Sequence, residues 1–297
     1  MATLDILIPH FNDPEGLMLS LRSIQRQCWE GDYRIVVADD GSRPDYRKSV
    51  EAIAEHSEAN IDVLCNPVNR GRAYTRNVLL DSIESPYVAW LDAGDEWYPR
   101  KLQVQFEALE LIEATHLDTP TWITCNYDWA WTGQKKKKRE QKTDQDQTKA
   151  LLMGSSLRAY LWTLLGRAKT FKDIGWFDER LPRLQDLDYF LRFVNHGGLL
   201  RKPRNGNSYC VYHKSDIGRG AHEIRECNSY IFDKHRILYN RYGSKFKTMR
   251  LYNMEMHAAR FAQNNRDYQI MRGYFWRAFK AKPVKFLSHA MKNGLKV

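Results

Sequence analysis

Four short apolar runs, each closing on a polar cluster and most followed by a stretch long enough for a helix, constrain this chain more than any other feature. Residues 4–9 run into Asn12 and Asp13, after which Leu17, Leu21 and Ile24 recur at helical spacing. Residues 33–38 run into Asp39-Asp40-Gly41-Ser42, with a polar helix candidate over 45–57. A third run covers 61–64, a polar glycine-containing loop 66–72, a further helix 73–82, and the fourth run, 87–91, ends at Asp92. Strands alternating with helices predict an α/β fold whose mostly parallel sheet is flanked by helices. In such sheets ligands bind beyond the carboxyl ends of the strands, so the polar groups there are the candidate site.

The 297 residues are enough for one large core and an appendage. A helix is expected from about residue 99 to 114, then the strand-like segment TWITCNYDWAW, then a solvent-facing mobile loop over 133–148 dense in Lys, Arg, Gln and Asp. From residue 221 the chain reads as helical, with Tyr268, Met271, Tyr274, Phe275 and Phe279 at helical spacing and Pro283 breaking the run before a last helix. This predicts a catalytic domain over 1–220 and a helical, basic C-terminal extension over 221–297. The five cysteines are scattered and lack C-x-x-C spacing, which favours reduced structural thiols. No stretch has the roughly 18 to 20 apolar residues of a membrane span, and no basic region precedes the interrupted apolar start. The expectation is a cytoplasmic protein, peripheral at most on the inner face of a membrane.

Several side chains at the strand ends could carry chemistry. Asp39 and Asp40 can accept hydrogen bonds from a base or ribose, or simply make an Asx turn. Asp92 and Asp95 in WLDAGDEW offer hard oxygens suited to Mg²⁺ or Mn²⁺, although Asp95 could equally cap a helix. Arg72 and Arg76 lie four apart and on a helix would share a face able to clamp phosphate, or would merely be solvated. Asp186 and Asp188 would sit on different faces of a helix, one entering the cleft while the other caps or pairs with Arg192. His213 could be a neutral metal ligand or a surface histidine.

Taken in order, LDILIPHFND, VVADDGS, NPVNRGRAYTRN, YVAWLDAGDEW, IGWFDERL and LQDLDYFLRF resemble the family 2 glycosyltransferases of the GT-A (Rossmann-like) fold, over roughly residues 4–216. The resemblance implies an inverting transferase that moves a sugar from a nucleotide-diphosphate sugar, typically a UDP-sugar, to a glycan or lipid-linked acceptor. By the same resemblance Pro9, Phe11 and Asn12 line the nucleotide pocket, with Ala93 beside it. Asp39 would bond the base with Asp40 in support, and the stretch from Gly71 through Arg72 to Arg76 would meet ribose and diphosphate. Asp92 and Asp95 match the metal-binding acidic motif, His213 a histidine that completes the metal shell in some relatives, and Asp186 the general base. Residues 175–178 match a turn framing the acceptor side. Two departures stand out: Gly94 replaces the second acid of the usual Asp-x-Asp, and Gln185 replaces an acid before the base.

The formal net charge of +10 favours acidic partners. It is concentrated in Lys135, Lys136, Lys137, Lys138 and Arg139, and in Lys280, Lys282, Lys285, Lys292 and Lys296. The first run reads either as a solvated loop or as a contact for an anionic bilayer, and the C-terminal stretch either as a basic amphipathic face for lipid-linked or lipopolysaccharide acceptors or as apolar positions that pack on the catalytic domain or on a second subunit. No nucleic-acid motif accompanies them. A sugar nucleotidyltransferase would need a glycine-rich basic loop after the first strand, where this chain has HFNDPEG; a non-catalytic glycan or membrane scaffold is the other alternative.

Overall fold

Strand β1 (Leu4–His10) is buried on both faces and lies parallel to β2 (Tyr33–Asp39) and β4 (Tyr87–Trp90). Its apolar run, Leu4, Ile6, Leu7 and Ile8, is what a central parallel strand covered by helices requires. The single charge in the run, Asp5, is also fully buried. Its oxygens accept from the Arg34 guanidinium, the Ser85 hydroxyl and the Glu84 and Ser85 amides. Burial alone would push this carboxyl up, but those bonds hold it below the ordinary carboxylate range. The computed structural model describes residues 3–115, 119–131, 135–213 and 220–293.

The main sheet is completed by β3 (Ile61–Cys65), β6 (Thr121–Ile123), β9 (Leu165–Arg167) and β10 (Leu199–Arg201), in the order β10-β6-β9-β4-β1-β2-β3. It is parallel except for β9, which runs antiparallel between β4 and β6. Helices α1 (Pro14–Gln25), α2 (Pro44–Glu55) and α3 (Arg72–Asp81) form the successive crossovers. Pro14 and Pro44 each stand in the first turn, where a missing N–H costs nothing, and Asp13 caps α1 through the Gly16 amide at 2.9 Å. Helix α4 (Lys101–Glu113) follows β5 (Glu96–Trp97). Trp122 packs on Phe171, Tyr189 and Phe193, bringing α6 (Ala168–Ile174) and α7 (Gln185–Asn195) onto β6.

A second sheet, β5-β11-β7-β8, uses β7 (Asn126–Ala130), β8 (Lys137–Arg139) and β11 (Ser208–His213). The segment TWITCNYDWAW is therefore two strands in two sheets, parted at Thr124 and Cys125; the Thr124 amide turns aside to the Arg201 carbonyl at 2.8 Å. The stretch expected as a solvent-facing loop also differs. Lys137, Lys138 and Arg139 form the edge strand β8, Gln141 is fully buried, and α5 (Gln147–Met153) begins within it. Gln141 is accommodated because both ends of its amide bond the Arg158 backbone. Gly133 and Gln134 lie outside the described residues.

Two compact units partition the chain. One holds Met1–Arg180 and Gln185–Ser215, the other Leu181–Leu184 and Asp216–Val297. The second unit comprises α8 (Ala221–Lys234), α9 (Arg236–Arg241), α10 (Gly243–Asn264), α11 (Tyr268–Ala281) and α12 (Pro283–Asn293). Its cores gather Ala258, Ala259, Ala262 and Tyr274 in one cluster and Tyr252, Met256, Ala278 and Phe286 in another. Pro283 opens α12 after α11 has ended. No described helix is long and apolar enough to cross a membrane.

Candidate functional site

At the end of β1, Pro9 is partly buried, and His10 is buried with its Nδ1 2.8 Å from Asp39 Oδ1. The Asp13 amide donates to His10 Nε2 at 3.1 Å, so the ring hydrogen sits on Nδ1 and is given to Asp39. The Ser42 amide and hydroxyl also donate to Asp39. Burial would raise this carboxyl, but the bonds from His10 and Ser42 lower it overall, so it is held ionised. Asp40 fastens a different loop, accepting from the Arg70 and Gly71 amides, both at 2.9 Å, and from Asn66 Nδ2. Gly41, at φ +68°, brings this turn against the backbone of Val68, where a Cβ would lie 2.3 Å from its carbonyl carbon. Phe11 stands 47% exposed at the rim, and Asn12, at φ 52°, gives its amide to Ser42 Oγ and receives the Arg43 amide.

The most telling contact lies across the mouth of the sheet. Arg76, on α3, is 3% exposed and forks between two carboxylates distant in sequence. Nη2 donates to both Asp92 oxygens at 3.1 and 3.3 Å, and Nη1 donates to Asp186 Oδ1. Arg76 is thus a bridge within the protein, buried where its spacing also allowed a merely solvated position. Arg72, one turn earlier, is exposed and has no hydrogen bond or ion pair among the described residues. Asp186 also accepts the Leu161 amide, at 3.3 Å. Burial, with the Asp92 charge, raises its carboxyl above the ordinary range although Arg76 opposes this. Asp188 points elsewhere, buried and paired with Arg192 at 3.0 Å.

Asp92 keeps a third of its side chain in solvent. Asp95 is buried, and burial together with the Asp92 charge pushes its carboxyl well above the ordinary range. Its Oδ1 accepts the backbone amide of His213 at 3.0 Å, while the His213 imidazole goes to Glu96 at 2.6 Å. Ala93 and Gly94 form the turn between the acids. Gly94 sits at φ +94°, which side chains rarely adopt, and its amide is shared between Gly16 O and Ser20 Oγ, both at 3.0 Å. A side chain at this φ would be strained, so glycine suits the turn. Among the described residues no group of three or more His, Cys, Asp or Glu is arranged to hold a metal ion. The donor set does fit an ion of the Mg²⁺ or Mn²⁺ type that keeps one or two carboxylates and takes its other oxygens from substrate phosphates, because Asp92 and the charge-stressed Asp95 are hard oxygen ligands.

Side chains not singled out from sequence hold the site together. Asn77 bonds both the amide and the carbonyl of Phe177, at 2.7 and 3.1 Å, pinning the 175–178 turn to α3. Ser20 bonds the backbone of Asp95 and Gly94, and His10, Ser42 and Asn66 organise the two aspartates. Most of these lie inside or beside the motifs that carried the family resemblance, and a polar residue next to a strand end was the available signal.

The family model described as "Glycosyl transferase family 2" matches residues 5–166. Among curated proteins, the chain is 31% identical over 96 residues to the "Teichoic acid poly(glycerol phosphate) polymerase" of Staphylococcus epidermidis, covering 32% of this chain and 13% of that one. It is 29% identical over 104 residues to the "UDP-Glc:alpha-D-GlcNAc-diphosphoundecaprenol beta-1,3-glucosyltransferase WfgD" of Escherichia coli, covering 35% and 40%. The matches thus span 13% to 40% of the length of these curated relatives. Of solved structures, S. aureus TarS 1-349 in complex with UDP-GlcNAc superposes with a TM-score of 0.62 at 15% identity, over 96% of this chain and 82% of that one. The mannosyltransferase PcManGT from Pyrobaculum calidifontis, in complex with GDP-Man and Mn²⁺, gives 0.59 at 16% identity, over 99% and 79%. At these identities the superpositions establish the shared fold.

Proposed function

Because the chain belongs to glycosyl transferase family 2, we propose that it moves a sugar from a nucleotide-diphosphate sugar, first of all a UDP-sugar, to a hydroxyl of a glycan or lipid-linked acceptor, with inversion, in cell-surface polysaccharide or lipopolysaccharide assembly. The observation that carries this reading is the Arg76 fork, because it joins the donor-side acid Asp92 to the base candidate Asp186 through one buried guanidinium. A nucleotide at the strand ends would meet Pro9, Phe11 and Asn12, with Asp39 and Asp40 setting the loops around it and the 71–72 stretch facing its diphosphate. Asp39, already engaged by His10 and Ser42, contributes to base recognition with whatever acceptor capacity those bonds leave. A divalent ion on Asp92 and Asp95, with His213 nearby, would supply positive charge to the departing diphosphate.

The protein's own groups do the rest. Arg72 is free to pair with phosphate oxygens. Arg76 fixes the Asp186 carboxylate, and the Leu161 amide holds its second oxygen. Asp186 takes the proton of the acceptor hydroxyl as that oxygen attacks the anomeric carbon from the face opposite the diphosphate. A carboxyl raised by burial is a stronger base once ionised, and general-base help is typically worth about 10²- to 10⁴-fold.

The test is calorimetric titration with UDP and UDP-sugars, with and without Mn²⁺, followed by an assay of sugar transfer or hydrolysis. Metal-enhanced binding that is lost in Asp92→Ala, with turnover lost in Asp186→Asn while binding persists, is the expected pattern. No nucleotide bound under any condition overturns the reading in favour of a non-catalytic scaffold.

A further inference from the structure

The last two helices carry an unusual charge pattern and an uncovered apolar stripe. From Tyr268 to Val297 the sequence contains seven lysines and arginines and no acidic residue. Arg272, Arg277, Lys280, Lys282 and Lys285 form no ion pair among the described residues. On α12, Phe286 and Ala290 face inward, Phe286 packing in a core with Tyr252, Met256 and Ala278. Val284, Leu287 and Met291, at i, i+3 and i+7, lie on another face, 82%, 45% and 79% exposed. On α11, Tyr274 and Ala278 are buried, and Trp276 is 57% exposed between Arg272 and Lys280, one turn away on either side. Lys296 and the side chain of Lys292 lie outside the described residues.

We propose that this face of the helical unit docks on a membrane surface rich in anionic phospholipid. Trp276, Val284, Leu287 and Met291 enter the headgroup region, and Arg272 and Lys280 meet the lipid phosphates, while Lys285 is turned to Met249 and the Tyr252 ring. Charge complementarity selects this occupant: a stripe built only to pack against a protein would not require the residues that carry it, 268–297, to hold seven lysines and arginines and no acid. An aromatic ring beside lysine and arginine is the usual chemistry of the bilayer interface. Surface docking would bring the chain to the surface where a lipid-linked acceptor resides, so the proposal rests on that reading for its purpose.

The experiment is flotation of the full chain with vesicles of phosphatidylcholine alone and of phosphatidylcholine with 30 mol% phosphatidylglycerol, without donor or acceptor. UDP binding is measured on the same preparations, so that failure of docking is distinguishable from failure of the transferase reading. The chain should float only with the anionic vesicles and be released by 0.5 M NaCl. The pair Arg272→Glu and Lys280→Glu should weaken partitioning by about 25-fold or more, since each basic residue near such a surface adds roughly a factor of five. The separate pair Leu287→Ser and Met291→Ser should weaken it by about tenfold too. All four positions are exposed, so circular dichroism and UDP binding should stay as in the wild type. Equal binding to neutral vesicles, no binding, or unchanged binding by both pairs overturns the proposal. So does a concentration-dependent dimer abolished by the serine pair in a protein that ignores vesicles, which would make the face a self-interface.

Discussion

Replacing Arg76 by methionine removes the charge while keeping most of the side-chain volume, and its consequences can be worked from the geometry. Arg76 is 3% exposed and its partners Asp186 and Asp92 have side chains 17% and 34% exposed, so Asp92 can rehydrate but Asp186 largely cannot. Breaking a buried pair by deleting one member costs about 3–5 kcal/mol, and the solvent access of Asp92 places this case near the lower end, at about 3 kcal/mol. At roughly 2–4 °C per kcal/mol the midpoint of thermal unfolding should fall by about 6–12 °C. The charge that opposes the upward pull of burial on Asp186 also disappears, so its carboxyl should rise further. The acidic limb of kcat/KM should therefore move to higher pH, with turnover at neutral pH down about 10²-fold or more. Arg76→Lys, which keeps one charge but can satisfy only one carboxylate well, should recover much of the stability and little of the turnover. The assays are differential scanning calorimetry and a pH profile of sugar transfer. Unchanged stability together with an unmoved acidic limb would refute the view that this guanidinium positions the base.

Three further outcomes follow from other contacts. Asn77→Ala leaves the amide and carbonyl of Phe177 without their side-chain partners and should cost about 2–3 kcal/mol in denaturant titration, with a larger rise in acceptor KM than in donor KM. Gly94→Ala forces a side chain into φ +94° and should cost about 1–2 kcal/mol, so restoring an acid with Gly94→Asp should weaken metal-assisted nucleotide binding measured by calorimetry. Asp5, whose carboxyl is lower in the folded than in the unfolded chain, stabilises fully above the ordinary carboxylate range, and this contribution is lost as pH falls through its lowered value. Acid titration of Asp5→Asn should accordingly show a shallower loss of stability than the wild type, from a lower starting stability.

Sequence by itself determined the α/β class, the strand and helix order from Leu4 to Trp90, and the family, because hydrophobic periodicity and turn chemistry are local properties written along the chain. It also marked the strand ends where the acids cluster. Tertiary structure alone decided how those groups are used. Nothing near Arg76 in sequence announces a bridge to residues 16 and 110 positions away, and Asp95 meets the His213 backbone while the imidazole turns to Glu96. The division of TWITCNYDWAW between two sheets, the antiparallel insertion of β9, and the burial of Gln141 in a stretch that looked solvated were equally hidden. In each case a buried polar group had to find its hydrogen-bond partner on a distant segment, and a pairing of that kind is fixed only when the whole chain has packed.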